Sequence, residues 1–359
     1  MSQKNPSQLF GLYIHWPYCL SKCPYCDFAS SVCKHIDEDV LFGGYQRDLK
    51  RFRTDRPLTS IFFGGGTPSI MSVSMLKRLM MEIQKNYVLD PDIEISMEAN
   101  PDAISLDKMH AFAELGINRL SVGIQALNEK DLKFLGRHHT LKRALECIDE
   151  AKTTFQNINI DLIYARPKQS VSAWEKELQR ALDLDLPHYS LYQLTIEDGS
   201  IFSKINQPAA SETQARKLYI ATENLITKSK TRPYEVSNYA KPGFECRHNL
   251  TYWLGKDYIG IGPAAHGRLG LLATENPRSV HTWLTQGTHT ELLTNEQRQM
   301  EKLLMGLRLR NYSFPSKGLK DQNIQKAQQL GWITQTKQGI RPTLQGTLML
   351  NQLTLLLIR

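Results

Sequence analysis

The sequence predicts an α/β fold: an open, partial (β/α)6 TIM-like barrel followed by a smaller C-terminal α+β domain of winged-helix-like order. Two observations carry that reading. Six short runs rich in β-branched and aromatic residues recur with helical segments between them, the pattern of repeated βα units and a parallel sheet. After about residue 198 this alternation stops.

Strands are predicted over residues 10–16, 59–63, 92–98, 118–124, 157–164 and 189–194. Each reads as a nearly continuous apolar run, as strands buried on both faces should. Between them Leu76, Leu79, Met80 and Ile83 share one helical face, and Ser172 with Glu175 forms a capping-box pattern ahead of Leu178. Gly116 stands where a helix ending near Leu115 needs its C-cap. Six units are too few to close an eight-stranded barrel, so the sheet should stay open, with ligands at the C-terminal ends of its strands.

Beyond residue 198, residues 208–211 read as a connection and 212–228 as a long helix. A Gly-rich, aromatic region over 234–270 follows, then a helix over 323–330, two short strands within 332–341 around 337–339, and a final helix from 344 towards 358. The expected organisation is a barrel over 1–198, a connecting region over 199–280 and a C-terminal domain over 281–359.

With 359 residues, 41% of them hydrophobic, the chain has the composition of a folded globular protein. The first residues lack the basic cluster and apolar stretch of a secretory signal, and no apolar run is long enough to span a bilayer, so a soluble cytoplasmic protein is expected. The net charge of +8 suits an anionic ligand or an acidic surface, but the basic residues are scattered and form no nucleic-acid-binding block. The Leu-rich final segment leaves peripheral membrane contact and a homodimer open, with a helix packed on its own domain the simpler account.

Cys19, Cys23 and Cys26 are clustered, whereas Cys33, Cys147 and Cys246 are isolated, which argues against a disulfide scaffold. The CxxxCxxC spacing follows the first strand in a loop holding Pro24. Three thiolates from one loop can hold three corners of a 4Fe-4S cubane and leave one iron open. The alternative is a tetrahedral zinc site completed by His15 or Cys33. Spacing alone leaves both standing.

The order of CxxxCxxC after the first strand, Gly64-Gly65-Gly66-Thr67-Pro68-Ser69 after the second and Met97-Glu98-Ala99-Asn100-Pro101 after the third resembles the radical S-adenosylmethionine superfamily, over roughly residues 10–270. The resemblance implies a 4Fe-4S cluster on Cys19, Cys23 and Cys26, with S-adenosylmethionine on the open iron. Gly64, Gly65 and Gly66 leave backbone uncovered for the approach of the methionyl ammonium, and Thr67 and Ser69 add hydroxyls. By the resemblance, Glu98, Gln125, Arg137 and Asp161 are polar cofactor contacts; a carboxylate suits a ribose hydroxyl pair and Arg137 the methionyl carboxylate. Tyr13 and Tyr25 match positions flanking cofactor and cluster. One departure is Ala165-Arg166-Pro167, where relatives read Gly-Leu-Pro, so this loop should differ in shape.

Within the superfamily the chain resembles the oxygen-independent coproporphyrinogen III dehydrogenases and their HemW-type haem chaperone relatives. Three features favour the chaperones. Phe28 stands where the dehydrogenases carry a further cysteine, only eighteen residues precede Cys19, and His248-Asn249-Leu250-Thr251-Tyr252-Trp253 matches the HNxxYW pattern. Helical spacing puts His248 and Tyr252 one turn apart, as candidate axial ligands for haem iron. Trp253 is placed to cover the macrocycle and Arg247 to meet a propionate. Cys246 is either a soft ligand or attachment point or, more simply, a small buried thiol, and Cys147 reads as core. The function implied is carriage of haem to an acceptor protein, with an electron donor if the cluster is reduced. Radical decarboxylation of coproporphyrinogen III and a zinc-stabilised interaction module are the alternatives.

Overall fold

The computed structural model describes residues 8–316 and 318–358. All six predicted strands form: β1 (Phe10–Trp16), β2 (Leu58–Gly65), β3 (Leu89–Ala99), β4 (Arg119–Gln125), β5 (Asn157–Tyr164) and β6 (His188–Gln193), adjacent in chain order and parallel. At the far edge β7 (Asn238–Ala240) runs antiparallel to β6 and carries the two-residue strand Arg232–Pro233. The sheet also continues on the other side of β1. There β8 (Asp257–Ile261) adds a seventh parallel strand, followed by antiparallel β9 (His266–Leu269), β10 (Leu272–Glu275) and β11 (His289–Leu292). The sheet is open, as six units imply.

The helices between strands pack outward on the sheet. In helix Val73–Asn86 the residues Leu76, Leu79, Met80 and Ile83 are buried together. Gly116 has a φ of +101° and closes a Schellman turn, its own amide bonding Ala113 O at 2.9 Å while the Ile117 amide bonds Phe112 O at 3.1 Å. The capping box at Ser172 does not form. Helix Val171–Leu182 starts two residues earlier, capped by Ser170, whose hydroxyl accepts from the Ala173 amide at 3.1 Å, so Ser172 lies inside the first turn.

The strands are not apolar on both faces as expected. Their inward positions are polar at every second residue: Glu94 and Glu98, Arg119 and Ser121, Asn159 and Asp161, Ser190 and Tyr192. The barrel curvature turns this face onto a chamber instead of a dry core.

Asp48 ties the far side of the sheet to the barrel. From helix Glu38–Arg51 its buried carboxylate accepts the Trp283 indole N–H at 2.8 Å and the Asn276 side-chain amide at 3.1 Å. The long helix appears as Glu212–Ile226. C-terminal helices Asn295–Gly306 and Asp321–Gln329, the hairpin β12 (Ile333–Thr336) with β13 (Gly339–Pro342), and helices Leu344–Leu348 and Leu350–Ile358 surround a second core containing Leu303, Leu307, Ile324, Ile340, Leu353 and Leu357. The helix, hairpin, helix order is the expected one, although the final helix is broken at Met349. Among the described residues no helix is long and apolar enough to cross a membrane.

Candidate functional site

Cys19, Cys23 and Cys26 line one cavity of about 460 Å³ at the C-terminal ends of the strands, Cys19 buried and the other two partly so. A turn from the Cys26 amide to Cys23 O at 3.0 Å shapes their loop. The glycine segment after β2 then clamps it, with the Gly66 amide on Trp16 O at 2.7 Å and the Thr67 amide on Tyr18 O at 2.8 Å. His15 holds the loop's far end. Its Nε2 bonds Ala29 O at 2.9 Å, which leaves Nδ1 to accept from the Tyr13 hydroxyl at 3.0 Å.

This donor set fits a cubane. Three thiolates from one loop can each take a different iron of a cubane, whereas a structural tetrahedral zinc needs a fourth protein donor. The two residues offered as a fourth zinc ligand are otherwise engaged, His15 as above and Cys33 with its thiol on His35 O at 3.1 Å.

Tyr25, Gly66, Thr67, Glu98, Gln125, Arg137 and Asp161 line the same cavity. Gly65 and Tyr13 are not part of its lining, and Tyr13 instead lines the smaller chamber described below. Gly65 has a φ of +107°, its amide donates to Glu98 Oε2 at 3.1 Å, and a Cβ there would meet the His15 ring at 2.7 Å. A Cβ at Gly66 would meet Tyr18 O at 2.5 Å. The glycines are thus required by the close approach of β1 and the cysteine loop, and their amides, with that of Thr67, are spent within the protein. Ser69 is likewise spent, its hydroxyl accepting from the Asn100 amide at 3.3 Å.

Arg137 faces the thiols. Its Nη1 donates to Cys23 Sγ at 3.3 Å, and Nη2 to Asn100 Oδ1 at 2.7 Å and Gly123 O at 2.8 Å. Its Nε is buried with no partner among the described residues, a donor left over for a carboxylate. Burial first, then the neighbouring Asp161, push Glu98 up to about 8. Burial also raises Asp161, against hydrogen bonds that include Asn159 Nδ2 at 2.7 Å.

Residues 13–181 match the Radical SAM superfamily. The chain is 38% identical to "Heme chaperone HemW" of Haemophilus influenzae, across 72% of this chain and 70% of that protein. It belongs to the radical SAM superfamily, in its HemW-type branch. It is also 32% identical to "Radical S-adenosyl methionine domain-containing protein 1, mitochondrial" of Danio rerio, across 98% of this chain and 88% of the relative. Among solved structures, the radical SAM enzyme coproporphyrinogen III oxidase (HemN) from Escherichia coli superposes with a TM-score of 0.82 at 21% identity, covering 99% of this chain and 91% of that one, which bears on fold alone. Membership of the superfamily implies a 4Fe-4S cluster and S-adenosylmethionine, and the thiols and the orphaned Arg137 Nε fit both.

The loop that departs from the radical SAM pattern has its own solution. Ala165 takes a φ of +58°, a left-handed conformation that suits glycine better, and Arg166 turns inward. Arg166 pairs with Glu177 and reaches Asp131 at 3.1 Å, binding the loop to helix Val171–Leu182.

Below the radical SAM pocket lies a smaller chamber of about 160 Å³, and Glu98, Asp161 and Tyr192 border both spaces. Its floor is helix Arg247–Trp253, through His248, Asn249 and Tyr252. His248 is buried. Its Nδ1 lies 2.9 Å from the Ser60 hydroxyl, its Nε2 bonds the Tyr252 hydroxyl, and its ring stacks on Phe62. Burial and then Arg119 lower its pKa to about 3, so it is neutral and, as positioned, has no free nitrogen for an iron. Arg247 is bonded to Asp92 O, and Asn249 Nδ2 donates to the Tyr234 hydroxyl at 3.3 Å. Cys246 is buried against Glu94 at 3.4 Å, with burial pushing its thiol up to about 12. Trp253 leaves this group and faces the C-terminal helices.

Sequence reasoning missed Asn100, which holds Arg137, and the chamber wall of Arg119, Ser121, Asn159, Ser190 and Tyr192. The available signal was their spacing. Polar residues two apart on otherwise apolar strands mark a solvated inner face.

Proposed function

We propose that this protein is a haem chaperone, which binds haem and passes it to an acceptor protein, with a 4Fe-4S cluster on Cys19, Cys23 and Cys26 and S-adenosylmethionine controlling assembly or transfer. When bound, these cofactors supply one-electron chemistry. The observation that carries the reading is Phe28, 57% exposed at the mouth of the cofactor cavity, where the resembling dehydrogenases place a further thiol. The names of the HemW relatives agree with it. The protein's own residues then have three tasks: the thiols hold the cluster, Arg137 orients the cofactor carboxylate against it, and the helix Arg247–Trp253 closes the barrel beneath.

The test is anaerobic reconstitution followed by haem titration, with a parallel assay of coproporphyrinogen III turnover. Perturbed haem absorption bands without turnover are expected. Unperturbed bands, or product formed at a catalytic rate, overturn the reading. Cys23→Ala should abolish the brown iron-sulfur chromophore, and retained iron and sulfide would remove the cluster assignment.

A further inference from the structure

Helix Arg247–Trp253 has two sides with different surroundings. His248 and Tyr252 are sealed into the barrel floor, whereas Trp253 opens on a groove of about 650 Å³ between helices Asn295–Gly306 and Leu350–Ile358. The groove is apolar and uncovered. Leu304 is 43% exposed, Met305 37%, Leu355 56% and Ile358 39%, a concentration of apolar surface that marks an interaction site.

Two polar groups in this wall lack partners. The Trp253 indole N–H and Arg308 Nε are both buried with no hydrogen bond among the described residues. Arg308 lies over the Trp253 ring at 4.8 Å from its centroid, a cation-π contact that fixes the guanidinium at the groove. Its acidic neighbour is the buried Glu235, whose carboxyl burial pushes up and the Arg308 charge pulls down.

We propose that this groove, and not the buried imidazole of His248, is where haem docks, with Trp253 against the macrocycle, Arg308 on a propionate and the Met305 thioether towards the iron. This rests on the haem-chaperone reading above and names its binding site. The chemistry matches a flat apolar dianion: an aromatic wall, aliphatic sides and one fixed guanidinium able to meet a carboxylate. Met305 lies one turn before Arg308, and thioethers are established haem-iron ligands. A second copy of the chain would also cover apolar surface, but paired groove to groove it would set the guanidinium against a lining that has no carboxylate among the described residues.

The test is haem titration of the reconstituted full-length protein against three variants, with native mass and thermal unfolding measured on each. Leu355→Glu changes an exposed helical position, so it should fold normally, and it should weaken haem binding at least about tenfold. Arg308→Met keeps the packing over Trp253 and should weaken binding several-fold, while Met305→Leu should shift the haem absorption bands with little change in affinity. If the unaltered protein binds haem and all three variants keep its affinity and bands, the groove assignment is overturned and the chaperone reading survives. If the unaltered protein leaves the haem bands unperturbed, both fall. Conversion of a dimer to a monomer by Leu355→Glu with haem binding intact makes the groove a subunit interface and also overturns the proposal. Unchanged bands in Met305→Leu, with the other two variants weakened, remove the iron ligand and keep the groove.

Discussion

Arg137 Nη1 donates to Cys23 Sγ at 3.3 Å, so the residue suited to the cofactor carboxylate also touches a cluster ligand. The guanidinium is held on its other side by Asn100 and Gly123, which leaves Nε as a buried donor without a partner among the described residues. Arg137→Met removes the charge and the donors while leaving all three thiols. Iron content after reconstitution should therefore be preserved. S-adenosylmethionine affinity should fall by about tenfold to a hundredfold, the worth of hydrogen bonds to a charged group. The readout is the change in the reduced cluster's EPR signal on titration with S-adenosylmethionine; an unchanged titration would show that the carboxylate is bound elsewhere.

Glu98 gives the site a pH signature. Its carboxyl is raised from 4.5 to about 8 in the folded protein. Between those values the folded state holds a proton that the unfolded state has lost, so the associated stability is complete below about pH 4.5 and is lost as pH rises through about 8. Glu98→Gln keeps an acceptor for the Gly65 amide and removes the titration. The variant should gain on the unaltered protein between about pH 6 and pH 9, by a few kcal/mol at most. Urea unfolding midpoints at the two pH values check this, and parallel pH dependences in the two proteins would refute it.

His248 connects the site's floor to β2. Truncation in His248→Ala leaves the Ser60 and Tyr252 hydroxyls unpaired and opens a cavity against Phe62. The expected cost is about 2 to 4 kcal/mol, seen as a lower unfolding midpoint. Haem bound per folded molecule should be retained, because the ring is sealed away from the groove at Trp253. Equal stability with abolished haem binding would reverse the assignment.

These residues also show what local sequence can and cannot convey. The thiols, the glycine segment and Glu98 were legible because each sits at or just beyond the C-terminal end of a strand that its own apolar run announces. β8 was not, since the short segment DYIGI becomes a strand only by pairing with β1, a contact remote in sequence. Arg119 and Asn159 were missed because a polar residue alternating with apolar ones looks the same whether its face meets solvent or an interior chamber. For His248, helical spacing put Tyr252 one turn away on the same face, and in the structure the two side chains bond each other on helix Arg247–Trp253. Direction was the missing quantity: helical periodicity says which residues share a face, and only the packing of that helix on Ser60 and Phe62 says that the face is sealed.

Gly43 and Gly44 provide a paired test of packing against local propensity, because they are adjacent in the middle of helix Glu38–Arg51. Replacing a mid-helix glycine by alanine gains about 1 kcal/mol from backbone entropy alone. At Gly43 a Cβ would meet nothing within 4 Å, so Gly43→Ala should stabilise the protein by about that amount. At Gly44 the same atom would stand 2.4 Å from the Trp283 ring. Trp283 is fully buried and its indole is fixed on Asp48 at 2.8 Å, so the ring cannot withdraw cheaply. Overpacking of about 1 to 3 kcal/mol then outweighs the propensity gain, and Gly44→Ala should lower the unfolding midpoint. Two identical substitutions at neighbouring positions are thus expected to differ in sign. If both stabilise, Trp283 must relax, and the Asp48 contact that joins the far side of the sheet to the barrel is weaker than its geometry implies.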